Sequence, residues 1–214
     1  MHRKHHDRPA LVAVAVMLAS LLAWPTAGLA QLGGQLPSTT ASTVTGQATA
    51  VRATVLGILG TTTTTVLSDT GTLAGTSDAR DASQLTGSIL SLLGAEALHA
   101  VTIGLPNEVD SEASLANLGL NVAGIGISAD LVMARASQVS GALGSGTSSI
   151  DNLAINGVPV AVTGQPNQTV AIPGGHIVIN EQTISPGSTT VNALHVIVNG
   201  IVDVVIASAA AGIS

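Results

Sequence analysis

Apart from Trp24 the chain has no aromatic side chain, and it contains no cysteine. Any core must therefore be assembled from Val, Ile, Leu and Ala. Each of these removes a modest area from water, worth roughly 1.5 to 3 kcal/mol for a fully buried Val, Leu or Ile. Many must be buried together, and the β-branched residues among them favour strands. Without cysteine there is no disulfide, no thiolate metal site and no thiol nucleophile, so stability rests on packing and on the ladder of backbone hydrogen bonds.

The N-terminal stretch MHRKHHDRP carries Arg3, Lys4 and Arg8, and one apolar run, ALVAVAVMLASLLAW, follows from Ala10 to Trp24. A basic entry, an apolar helix and a small-residue exit are the parts of a secretory signal peptide. The run of about 15 residues is shorter than the ~20 that a helix needs to cross a hydrocarbon core. Pro25 stops the helix, and cleavage after Ala30 would place Gly28 and Ala30 where a signal peptidase requires small side chains. The expected organisation is a signal peptide at 1–30, a flexible Pro/Gly-punctuated leader at 31–42, and a single β-rich extracellular domain at 43–214.

Beyond residue 30 only Arg52, Arg80 and Arg135 oppose eleven carboxylates, a formal charge of −8. Such a chain lacks the basic cluster that neutralises phosphates and the aromatic platforms on which bases stack, which excludes nucleic acid as a partner. Anionic membrane surfaces are disfavoured for the same electrostatic reason. The lack of Trp and Tyr also argues against a sugar-stacking site.

Period-two alternation runs through Thr43 to Leu59, and the β-branched stretch Thr61 to Leu73 contains an Asp-Thr-Gly turn. Ser77 to Gln84 is expected to be a loop, and a short helix is expected within SQLTGSILSLLGAEALH, although Gly87 and Gly94 weaken it. Further strands are expected at Ala113 to Met133, Asn152 to Val162, Gln168 to Ile172, His176 to Thr183, Thr189 to Val198 and Val202 to Ala207. Turn punctuation separates them. The fold class expected is all-β, an antiparallel β-sandwich or barrel-like sheet, with the N-terminal signal helix and at most one short helix besides. The echo between ALHAVTIG at Ala97 to Gly104 and ALHVIVNG at Ala193 to Gly200 suggests a related pair of strands within one sheet.

Four segments in order, GAEALHAVTIG, SEASLANLGLNVAGIGISADLVMARA, INGVPVAVTGQPNQTVAIPGGHIVINEQ and VNALHVIVNGIVDVVIASAAAGI, resemble the choice-of-anchor P family of bacterial surface or secreted proteins. The resemblance covers about Val51 to Ile213. It implies a domain displayed at or beyond the cell surface, with no defined biochemical activity. Members of that family carry varied C-terminal anchors, whereas this sequence stops at Gly212-Ile213-Ser214 without a sorting motif. The expectation is a protein that is secreted or loosely attached to the cell surface, with partners among cell-envelope or extracellular components.

No catalytic, cofactor-binding or metal-binding residue is assigned from the sequence, and no cofactor is expected. Three groups come nearest. Asp69 in VLSDTGT is presented as aspartic proteases present a catalytic carboxylate, but the chemistry needs two carboxylates sharing a proton, and a strand-ending turn explains the same residues. Glu108, Asp110 and Glu112 recur at period two, which suits oxygen ligation of calcium or a solvated acidic loop. His99, His176 and His195 form no zinc motif; His99 and His195 share an Ala-Leu-His context that would let them face each other across strands. Thr61 to Thr65 could form a hydroxyl face or simply a β-branched strand, and Gly124-Ile125-Gly126 opens no helix, so it reads as no dinucleotide site.

Overall fold

The computed structural model describes residues 42–57 and 60–214. The signal segment 1–30, the leader up to Ala41, and Ile58 and Leu59 at the end of the first expected strand lie outside the described residues.

Among the described residues thirteen antiparallel strands run in chain order: β1 (Val44–Leu56), β2 (Thr62–Asp69), β3 (Ala79–Ile89), β4 (Leu93–Leu105), β5 (Glu108–Val122), β6 (Ile125–Val139), β7 (Ser145–Asp151), β8 (Ala154–Ile155), β9 (Val158–Pro159), β10 (Gln168–Ile172), β11 (Gly175–Ser185), β12 (Ser188–Val198) and β13 (Val202–Ile213). One sheet has the order β10-β11-β12-β13-β1-β2. The other has the order β3-β4-β5-β6-β8-β9, with β7 also paired to β6. They pack face to face as a sandwich, which decides between the two all-β architectures expected. The first and last strands are neighbours in the middle of the first sheet, where Thr43 and Ser214 exchange two backbone hydrogen bonds.

Several sequence expectations are corrected. Ser77 to Gln84 is largely strand β3, because each of its residues from Ala79 onward pairs with β4 or flanks such a pair. The stretch read as a short helix forms the β3–β4 hairpin, and the described residues contain no α-helix. Ala113 to Met133 is not one strand: Ala123 and Gly124, at φ 50 and 81, make a two-residue hairpin turn between β5 and β6. The echoed segments fall on β4 and β12, in different sheets.

A feature common to the long strands explains why the alternation is hard to follow. In the first sheet, five strands each place two consecutive residues inward at the same level: Ile179 and Asn180, Leu194 and Ala193, Ile206 and Ala207, Val51 and Ala50, Leu67 and Ser68. The larger aliphatic of each pair lies in one continuous row, Ile179, Leu194, Ile206, Val51, Leu67, linked strand to strand by register. Asn180, Ala207 and Ser68, on alternate strands, adopt left-handed φ of 54°, 52° and 48°. A single left-handed residue kinks the strand and shifts its side-chain phase by one. The second sheet does the same outward at Glu96 and Ala97, Ala116 and Asn117, and Asp130 and Leu131, with left-handed φ at Ala97 and Asn117.

Between the sheets the apolar part of the core is wholly aliphatic, from Val51, Leu98, Leu115 and Val132 to Ile179, Leu194 and Ile206. Small side chains let the layers approach. A Cβ added at Gly46 would collide with Thr102 and Val109 of the facing sheet and with Leu73 of the segment after β2. Buried hydroxyls and amides tie the sheets together. Thr102 and Ser111 share a hydrogen bond of 2.7 Å, Ser111 Oγ donates to the Ala210 carbonyl at 2.6 Å, and Thr189 Oγ1 donates to Gln138 Oε1 at 3.1 Å. Among the described residues no buried side-chain N or O lacks a partner. The chain crosses between sheets after β2, where the Leu73 amide donates to the Gly46 carbonyl. There the Ala74 N–H, and then the Arg80 guanidinium, hold the Asp78 carboxyl below the ordinary carboxylate range.

Replacing Ser111 with Ala removes the bridge to β13 and strips Thr102 of its partner inside the core. The expected loss is about 1 to 3 kcal/mol of unfolding free energy, read as a lower urea midpoint at unchanged slope.

Candidate functional site

The polar groups singled out by sequence lie on the two outer faces of the sandwich, and strand register decides which of them meet. Asp69 ends β2 on the outer face of the first sheet, directly opposite Thr49. Its Oδ1 accepts from Gln47 Nε2 at 3.0 Å and from the Gly71 amide at 2.6 Å. Its Oδ2 accepts from Gln47 Nε2 at 3.1 Å and from Thr49 Oγ1 at 3.2 Å. None of these partners is a second carboxyl group. The carboxylate closes the Asp-Thr-Gly turn and pins β2 to β1, the role that the turn reading assigns to it.

Glu108, Asp110 and Glu112 lie on β5, so they form the outward edge of a strand and not an acidic loop. Glu112 is opposite Arg135 and ion-paired with it at 2.7 Å. Asp110 is opposite Ser137 on one side and Ile103 on the other. With Val101, Ser145 and Thr147 these residues line a shallow concavity of about 460 Å³ on the outer face of the second sheet. Among the described residues, no three His, Asp or Glu side chains are placed to hold a metal ion. One reason is visible here: Arg135 occupies the Glu112 carboxylate that calcium would need.

The histidines do not meet. His99 is on β4 and His195 on β12, in different sheets, so the facing pair suggested by their shared context does not form. His99 Nδ1 lies 2.9 Å from the hydroxyl of Ser83, its cross-strand neighbour on β3. His176 is the second residue of β11, opposite Ile197. His195 is the most elaborately held of the three. Its Nδ1 is 2.9 Å from Glu181 Oε2 on β11 and its Nε2 is 3.1 Å from Asp203 Oδ1 on β13, so one ring spans three adjacent strands. Glu181 Oε2 also accepts from Asn192 Nδ2 at 2.6 Å.

No family model, curated protein or solved structure matches this chain.

The threonine run also divides. Thr62 and Thr64 lie on one side of β2 and Thr63 and Thr65 on the other, as strand alternation demands, and Thr64 Oγ1 is 3.0 Å from Thr54 Oγ1. A flat face of five hydroxyls does not exist. Gly124 and Gly126 flank the start of β6 in a hairpin, and among the described residues they open no helix that could cradle phosphates.

Glu181 and Asp203 were not singled out by sequence. The signal that points to them is register: the Pro186-Gly187 turn folds β11 back on β12 so that Glu181 faces Asn192, and the Asn199–Ile201 turn brings Asp203 opposite Ile197, two residues from His195.

If the Asp69 carboxylate serves the turn, Asp69→Ala frees Gln47, Thr49 and the Gly71 amide together. Stability should fall by about 1 to 3 kcal/mol, as buried or half-buried donors lose a charged acceptor; a thermal or urea melt of the variant checks this.

Proposed function

We propose that this chain is an exported, non-enzymatic β-domain that works at or beyond the cell surface in a structural or interaction role. The observation that carries the reading is the N-terminal segment: Arg3, Lys4 and Arg8, the apolar run to Trp24, and small residues up to Ala30, ahead of an acidic, cysteine-free sandwich. The resemblance to the choice-of-anchor P family supports the same setting.

The non-enzymatic half of the proposal draws on how the reactive groups are used. Asp69 is committed to a turn, Glu112 to Arg135, His99 to Ser83, and His195 to two carboxylates. These are cross-strand pairs on sheet faces, the arrangement by which such side chains stabilise a sheet. Secretion or loose surface attachment is the localisation proposed, with cell-envelope or extracellular components as partners.

The test is expression of the full chain with a C-terminal tag in a bacterial host, followed by fractionation into cytoplasm, wall and medium and N-terminal sequencing of the product. A product beginning near Gln31 in the outer fractions is expected. An uncleaved chain retained in the cytoplasm would overturn the proposal.

A further inference from the structure

We propose that His195 is a proton-operated clasp that ties β11, β12 and β13 together on the outer face of the first sheet and releases Asp203 when the ring loses a proton. The geometry is the starting point. A neutral imidazole has one N–H and one lone pair, yet both ring nitrogens of His195 lie within hydrogen-bond distance of carboxylate oxygens, at 2.9 and 3.1 Å. A lone pair aimed at a carboxylate is repulsive. Between two ionised carboxylates, only an imidazolium, donating from Nδ1 to Glu181 and from Nε2 to Asp203, satisfies both contacts.

The two contacts are not equivalent. Glu181 is held a second time, by Asn192 Nδ2 at 2.6 Å, and its side chain is 31% exposed. Asp203 has no other side-chain partner among the described residues and its side chain is 54% exposed. When one proton leaves, the ring keeps its bond to the anchored partner and Asp203 turns to solvent. The neutral ring is therefore the Nδ1–H tautomer, with its Nε2 lone pair facing outward.

The charged and titratable groups around the ring fit this account. From β11 they are Glu181 and, one row away, His176; from β13, Asp203; from β1, Arg52, which sits opposite Val205, the residue paired with His195. The neighbours on β12 itself, Asn192 and Ile197, carry no charge. The clasp holds β11 to β13 while both ring nitrogens carry protons, and it loses one of its two contacts once the ring is neutral.

The test is a proton–nitrogen correlation spectrum of the imidazole rings in the purified, uniformly nitrogen-15-labelled protein, followed from about pH 5 to 8. At the acidic end both His195 nitrogens should appear protonated; as pH rises, Nε2 should move to the unprotonated position while Nδ1 keeps its proton. Asp203→Asn removes the anion but keeps the shape, and its ring should reach the neutral Nδ1–H form at a lower pH than the parent. A neutral ring protonated at Nε2, a ring that keeps both protons across the whole range, or an Asp203→Asn variant that titrates as the parent does would each overturn the proposal.

Discussion

A long strand can hold its apolar side against a facing sheet only if its side-chain phase follows the sheet as it bends, and in this protein that condition is met at one transverse row per sheet. In the first sheet Asn180, Ala207 and Ser68 turn left-handed on alternate strands, and the larger Ile179, Leu194, Ile206, Val51 and Leu67 line up immediately beside them. Left-handed φ costs an L-residue roughly 1 to 2 kcal/mol. That cost recurs across the sheet, so it must be offset by what the bend permits: an aliphatic layer from both sheets that closes without a ring anywhere in it. A core with Phe or Trp could fill a gap between poorly matched sheets; Val, Ala, Leu and Ile cannot, and the sheets themselves have to fit.

The same row organises the polar surface. Next to the small residues, on the outer face, the register places Glu181, Asn192, Ser208, Thr49 and Asp69 side by side. Asp69 at one end closes a turn and Glu181 at the other holds His195, so the reactive-looking groups are extensions of the sheet's own architecture. The second sheet repeats the principle: Asn117 donates to Glu96 and Asn152 to Asp130, each asparagine itself left-handed and each bonded to a carboxylate on a neighbouring strand. Asn is the residue that tolerates this backbone and brings an amide to use there.

What the sequence makes legible follows from this. Gln168 to Ile172 is read with the bounds that β10 has, because it is short, lies clear of any bend and is flanked by proline and glycine. The all-β class is legible for the same local reasons. Two other features hide the rest: Ala113 to Met133 looks continuous because the two-residue turn at Ala123-Gly124 is composed of small residues like the strands around it, and Ser77 to Gln84 looks like a loop because β3, an edge strand, buries little. Site geometry is less legible still. Glu181, His195 and Asp203 become a cluster only through two hairpin registers, and His99 is separated from His195 by a choice of sheet that no local pattern records.

The most direct measurement compares Ala207→Gly with Ala207→Val by urea denaturation. Ala207 is fully buried at φ 52 in the middle of β13, where it carries the bend of the central strand. Glycine accepts that backbone freely and should stay within about 1 kcal/mol of the parent. Valine combines a left-handed strain of roughly 1 to 3 kcal/mol with overpacking of similar size, so a loss of about 3 to 5 kcal/mol is expected. A valine variant as stable as the glycine variant would contradict the account, because the transverse bend would then not be what the sandwich depends on.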